Sequence, residues 1–434
     1  MSTTSATGTL QGLAKNATIF AVGLVMTKIL AIVTHLVIAN LAGDAVYGFF
    51  SFGLSIIMPA SVLALLGLHQ ALIRFGAESA QSRTLSVFAS LYRRFARATF
   101  ICACIVALLL FAGAWVVGQY GLYDEYVPIV QIMALALPFM TSLTMSNYAF
   151  RAMDEFGPDA FFRNFLRNVV FALLVIAAPV LFGRIDPEII AALFVLSFVA
   201  AAAVSGGGYL RRAFVNAGAT GRRYANRVRM PSGRILSFGI GMTSLIFVYE
   251  VFFHIDRIFL GQVAEPAEVG RYAAAAFLSR NAEIVGLISY NVVTPFISSK
   301  LGMSWSKEQK QVLQPVILIT SGCGALALLA VYLVEEYILR LFGPSFVEAY
   351  DIFMVLMLGN VILTLSSPIS AVLQFRDLVR RDLFFSLAGL GTTLSGLGWL
   401  TLNAMAGPVE VAWAMVAGMT VISVSRIVQY LLLR

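Results

Sequence analysis

The sequence predicts an all-α polytopic membrane protein of about twelve transmembrane helices, arranged as two parallel-related bundles of six. Three observations carry this. Of 434 residues, 59% are hydrophobic and only 12% are charged, against roughly 45–50% and 25% in a soluble domain. Apolar runs of about 20 residues, enough for a helix to cross a ~30 Å hydrocarbon core, recur from end to end. The short segments of polar/apolar alternation that spanning strands need are absent. The same recurrence excludes one large apolar-cored enzyme.

Taken in order, the spans fall near 14–38, 45–67, 95–118, 126–149, 162–182, 188–210, 234–262, 269–296, 312–334, 348–372, 383–403 and 408–431. The opening, MSTTSATGTLQGLAKN, is polar and lacks the basic region and cleavage site of a signal peptide, so the first span is read as retained. Gly43, Gly121, Pro187, Gly261 and Pro408 punctuate turns, as residues of special backbone geometry do. Pro138, Pro295, Pro315 and Pro368 fall in apolar segments, where they kink or terminate helices and so shape a cavity. The longest polar connection, Arg211 to Arg234, joins the sixth and seventh spans and divides the chain into bundles 1–216 and 217–434. A faint repeat agrees. GLVMTKILAIV from Gly23 is matched by GIGMTSLIFVY from Gly239, and VYG from Val46 by VGRY from Val269. An even number of spans per half makes such a repeat parallel.

Loop charge sets the orientation. With both termini cytoplasmic, 24 of the 30 Lys and Arg residues lie in inward regions, Arg426 among them. Arg184, Arg271 and Arg340 lie outside, and Lys28, Arg257 and Arg280 within spans. A wrong span count would scatter basic loops over both sides, so the bias supports count and orientation together, in a cell (inner or plasma) membrane. The net charge of +8 is spread over loops, which excludes a nucleic-acid partner. Cys102, Cys104 and Cys323 sit in apolar segments without metal-ligand spacing and read as packing residues. No Walker loop, dinucleotide fingerprint or HExxH pattern is present, and the glycines at 206–208 lack strand context. Neither a catalytic residue nor a resident cofactor or metal is expected.

The remaining information lies in polar groups at membrane depth. Lys28 sits mid-span in the first helix, with His35 seven residues later on the same face. In the seventh, Glu250, His254 and Arg257 follow i, i+4, i+7 spacing and form one polar stripe, while Asp256 points elsewhere, to a backbone donor or a neighbouring helix. In the eighth, Arg280 and Glu283 share a face. Intramembrane charges default to function, and neutralised structural ion pairs are the alternative. The signs balance, three against three. Arginine offers a rigid fork for phosphate, and carboxylates and histidine can relay protons. Arg74, just beyond the second span, is placed at the cytoplasmic mouth or as an ordinary positive-inside anchor.

ATIFAVGLVMTKILAIVTHLVIANLAGDAVYGFFSFGLSI with LLGLHQALIRFGAE, HIDRIFLGQVAEPAEVGRYAAAAFL, and LFGPSFVEAYDIFMVLMLGNVI resemble, in order and spacing, segments of the polysaccharide-biosynthesis membrane flippases. The resemblance covers nearly the whole chain. It implies a multidrug/oligosaccharidyl-lipid/polysaccharide exporter fold with a V-shaped central cavity lined by the first, second, seventh and eighth helices. It implies that Lys28, Arg257 and Arg280, with Arg74 at the mouth, contact a lipid-linked phosphate or pyrophosphate. It leaves His35, Glu250, His254, Asp256 and Glu283 for polar contacts or ion coupling. The function implied is alternating-access flipping of polyprenyl-linked oligosaccharide, with a proton or sodium gradient as candidate driver. The implied partners are the lipid-linked oligosaccharide, membrane lipids, and a glycan polymerase or glycosyltransferases. A cation-coupled small-molecule exporter of the same fold, a peptidoglycan-precursor flippase and a noncatalytic member of a glycan-assembly complex are the alternatives.

Overall fold

A computed structural model of the chain describes residues 3–81, 85–153, 155–216, 232–282, 337–375 and 378–432, with positions 315, 318, 322 and 326. Every regular element among the described residues is a helix. The first run, α1 (Thr3–Leu65), is two helices joined at Gly43, whose φ of 82° and ψ of 173° suit glycine alone. That turn falls where the sequence places it. α2 (Leu68–Gln81) follows a turn at Leu66 and Gly67.

α3 (Leu85–Gln119) shows why the protein belongs in lipid. It turns Ala89, Thr99, Ala103 and Ala107 inward, whereas Ile101, Ile105, Leu108 and Leu109 are each more than half exposed. From Thr99 onward the buried residues are small and the exposed ones large and apolar, which inverts the soluble pattern and suits a bundle in hydrocarbon, while Phe88 and Phe95 are buried nearer the start of the helix. α4 (Val127–Ala134) and α5 (Leu137–Ala152) meet at a 44° bend. Pro138 stands in the first turn of α5, where its missing N–H leaves no bond unmade, so the kink expected there is present. α6 (Phe156–Ala160) runs through a π-helical turn, Phe161–Leu166, into α7 (Arg167–Phe182). α8 (Pro187–Ala202) runs through a second π-helical segment, Ala203–Leu210, into α9 (Arg211–Asn216). The three glycines fall in that second segment.

The expected seventh span is not one helix. It divides into α10 (Ser232–Phe252) and α11 (Ile255–Val263), followed by α12 (Pro266–Ser279). The last described elements are α13 (Tyr350–Leu365), α14 (Ser367–Phe375), α15 (Val379–Leu402) and α16 (Pro408–Leu432). Among the described residues, six helical runs are long and apolar enough to cross a membrane, and the bent pair α4–α5 makes a seventh. The chain is a multi-pass membrane protein. The expected eighth and ninth spans extend outside the described residues.

Two compact units emerge. One joins Met1–Leu41 to Ala60–Thr243, and the other joins Ala42–Pro59 to Ser244–Arg434. Pro59, a helix-interior proline, stands at one of these boundaries.

Within the second unit, the two short motifs of the repeat pack on each other. A Cβ on Gly48 would collide with the Pro266 carbonyl oxygen, and one on Gly270 with the Asp44 carbonyl oxygen. The helix of Val46–Gly48 and the helix of Val269–Tyr272 thus touch backbone to backbone, as small residues allow in membrane bundles. Around this contact Tyr47 is fully buried, with the Phe342 and Phe346 rings at 6.2 and 5.9 Å. Arg271 Nη1 lies 3.4 Å from Asp44 Oδ2 and 3.2 Å from Glu348 Oε2. Gly113, in α3, has nothing within 4 Å of an added Cβ. Gly48→Ala is expected to lower the melting temperature of the detergent-purified protein, as overpacking by roughly 1–3 kcal/mol does. Gly113→Ala should hold or raise it, because alanine favours a helix by about 1 kcal/mol over glycine.

Candidate functional site

The break in the seventh span assembles the polar residues of the second unit. Phe253 N still donates to Tyr249 O at 3.1 Å in the α-helical pattern, and the bonding then tightens, with His254 N donating to Val251 O at 3.1 Å. His254 then leaves the helical region, at φ −126° and ψ −13°. No proline or glycine explains this break. The local cause lies in Asp256, in the first turn of α11, which accepts the Arg257 backbone N–H at 2.7 Å. A carboxylate there satisfies one of the unpaired donors at a helix start and complements its dipole. Asp256 is buried, with the fully buried Tyr272 beside it. The backbone donor expected for Asp256 is its own neighbour's N–H.

Phe253, between the two helices, carries both cations of the site. Its carbonyl accepts a hydrogen bond from Arg257 Nη2. Its ring lies under the Arg280 guanidinium, with Cζ 4.1 Å from the ring centroid, a cation–π arrangement whose strength grows when desolvated. Arg257 Nε also pairs with Asp256 Oδ1 at 3.2 Å, and the Arg257 side chain is 12% exposed. These bonds occupy two of the five N–H groups of the guanidinium. Arg280 ends α12, where a cation complements the C-terminal dipole.

Glu250 and His254 complete the cluster. Glu250 Oε2 stands 3.4 Å from His254 Nε2, and both lie in the field of Arg257 and Arg280. On its other side, His254 Nδ1 is 3.3 Å from Ser55 Oγ, which also reaches Ser51 O at 2.9 Å. Ser55 has two ways to bond. It can donate to a bare Nδ1, leaving Nε2–H for the Glu250 carboxylate. Alternatively it can donate to Ser51 O and accept from Nδ1–H, which admits a second proton between Nε2 and Glu250. The cluster can therefore gain or lose a proton with its hydrogen bonds made in both states.

The structure brings together Glu250, His254, Asp256, Arg257 and Arg280. It corrects the picture of one continuous stripe, because the helix breaks between Glu250 and Arg257. Lys28 and His35, both half-buried, and the exposed Arg74 belong to the other compact unit. Arg74 lies over the Phe75 ring at 5.7 Å. Glu283 and Cys323 lie outside the described residues. Cys102 is half-buried and Cys104 exposed, both as free thiols. Among the described residues, no group of His, Cys, Asp and Glu is arranged to hold a metal.

One group escaped the sequence reading. Arg426, counted there as an inward loop cation, is 4% exposed and donates from Nε to Asp382 Oδ1 at 2.8 Å. Asp382, fully buried, also accepts from Ser370 Oγ at 2.8 Å, and Arg426 Nη1 reaches Ser366 Oγ at 3.4 Å. The Tyr249 hydroxyl hydrogen-bonds the same guanidinium. The available signal was Asp382 itself, an acid among arginines at a span end, which has no place in a purely positive-inside loop.

With this geometry established, known proteins can be compared. A family model described as polysaccharide biosynthesis protein matches residues 13–300. The chain is similar to a multidrug resistance MATE family transporter of the MOP superfamily in an inward-facing conformation, with a TM-score of 0.67, 15% identity and 94% of each chain covered. It is also similar to the Vibrio cholerae MATE transporter VcmN (TM-score 0.65, 13% identity, 99% of this chain and 97% of that one). The lipid II flippase MurJ, in an inward closed conformation, is similar at a TM-score of 0.64 and 12% identity, over 95% of this chain and 87% of that one. At these identities the likeness is one of fold. No curated protein matches the chain. The fold is one that these membrane transporters share.

The Asp256–Arg257 pair gives a stability test. Asp256→Asn leaves a mostly buried guanidinium without its carboxylate, which costs about 3–5 kcal/mol when a buried pair is broken from one side. The melting temperature should fall, and Asp256→Asn with Arg257→Gln should recover part of the loss. Equal melting temperatures for the single variant and wild type would deny the pair any role in the fold.

Proposed function

Because this chain belongs to the polysaccharide biosynthesis protein family, we propose that it flips polyprenyl-phosphate- or pyrophosphate-linked oligosaccharide from the cytoplasmic to the outer leaflet. The cycle is alternating access between two six-helix bundles, 1–216 and 217–434, in a twelve-span chain with both termini cytoplasmic. The observation that carries the reading is the pair of guanidiniums held by Phe253, Arg257 at its carbonyl and Arg280 on its ring. Two such forks around one aromatic residue suit the anionic link between lipid and glycan. Lys28 and Arg74 serve as further phosphate contacts in this reading, with His35 two helical turns beyond Lys28 on the same face. No bond of the substrate is made or broken.

The Ser55–His254–Glu250 group is the proposed coupling site, with a proton as the ion. A proton entering between His254 and Glu250 removes the negative charge nearest Arg280 and Arg257, which strengthens their pull on phosphate. Its departure returns that charge and favours release. A second reading, small-molecule export, draws support from the likeness to MATE transporters. The fold alone suits both.

Reconstitution in vesicles separates them. With fluorescent lipid-linked glycan, the wild type is expected to move probe between leaflets. Arg257→Gln and Arg280→Gln should each slow this about tenfold or more, the equivalent of one lost charge-assisted bond of roughly 1.5–3 kcal/mol. His254→Asn should keep basal exchange and lose stimulation by an imposed pH gradient. Efflux of cationic drugs without glycan movement would replace this reading by the second.

A further inference from the structure

We infer that Tyr249, with the buried Asp382–Arg426 pair behind it, is a positioning residue that sets the arginines of the proposed phosphate site. This rests on the phosphate-carrier reading above. A buried ion pair costs desolvation energy that its own attraction often fails to recover, so its retention needs a further reason. Here the pair is joined across α14, α15 and α16, with Ser370, Asp382 and Arg426 in one bonded group. Glue between those helices could stop there. Instead the guanidinium also holds the hydroxyl of Tyr249 on α10, the helix that leads into the break.

From Tyr249 the contacts run on without a gap. Its ring meets Phe253 edge-on, with centroids 4.8 Å apart and planes at 65°. Phe253 in turn bears Arg280 on its ring and Arg257 on its carbonyl. A tyrosine anchored through its hydroxyl has the axis of its ring held in place, and the Phe253 ring packed edge-to-face on it is held with it. The fixed charge pair thus helps to hold in place the ring on which Arg280 lies. The arrangement is that of a supporting layer behind a binding group, which holds the group within about 0.5 Å of its working geometry.

Tyr249→Phe is a clean probe, since it removes one oxygen and keeps the ring and its apolar volume. The concentration dependence of glycan-lipid movement in vesicles would be measured for wild type, Tyr249→Phe, Arg280→Lys and the double variant, with a melting temperature for each. Ser423→Ala is the control. Its Oγ lies 3.3 Å from that of Ser366, which Arg426 Nη1 also reaches, and bonds Ile362 O. Tyr249→Phe is expected to raise the half-saturating concentration about tenfold at unchanged maximal rate, and to add nothing once Arg280 is lysine. Ser423→Ala should leave half-saturation unchanged, whatever it does to melting. If Arg280→Lys is impaired while Tyr249→Phe behaves as wild type, matches Ser423→Ala, or adds independently to Arg280→Lys, the positioning role is wrong and the phosphate site stands. If Arg280→Lys transports as wild type, both inferences fall together.

Discussion

A helix in hydrocarbon that interrupts its own hydrogen bonding must satisfy the freed backbone groups internally. The break at Phe253 and His254 does this with charge. Asp256 takes a donor in the first turn of the new helix, and Arg257 takes the carbonyl left by the old one. The backbone and the ions therefore solve each other's problem. The carboxylate and guanidinium would be costly alone in this setting, and so would a bare helix terminus. Together they form a compact neutral unit in which the bonds to Asp256 and Phe253 use two of the five N–H groups of the fork.

The same economy recurs elsewhere in the second unit. Glycines at 48 and 270 bring two helices into backbone contact, and ions close the rim of that contact through Arg271. Asp382 and Arg426 are embedded among serine hydroxyls. In each case the polar group is enclosed by small residues or satisfied by neighbours, because the lipid offers it nothing. The apolar faces turned outward, as on α3, complete the pattern.

Much of this was legible in the sequence. Run length and composition established a helical membrane chain, and the turn at Gly43 and the kink at Pro138 fell where glycine and proline placed them. The polar residues of the seventh span and Arg280 lie together around Phe253. The break itself was not legible. Its residues, Val251 to Ile255, include neither glycine nor proline, and the i, i+4, i+7 spacing favoured continuity. Arg426 was misplaced for a related reason, since an arginine near a span end looks alike whether it faces water or an aspartate on the next helix. Phe253 and Ser55 were invisible because an aromatic ring and a serine in apolar runs carry no signal until their neighbours are known. The pairing of Gly48 with Gly270 was half visible, as a repeat of motifs whose mutual contact only the fold reveals.

The central claim is that the broken seventh helix holds an anion site for a lipid-linked phosphate. Native mass spectrometry of the purified protein tests it most directly, with a glycan-bearing polyprenyl pyrophosphate offered against the matching uncharged glycosyl polyprenol. Retention of the pyrophosphate lipid over the neutral one, lost when Arg257 and Arg280 are both changed to glutamine, is the expected result. Equal retention of the two lipids, or a preference that survives that double change, would contradict the account.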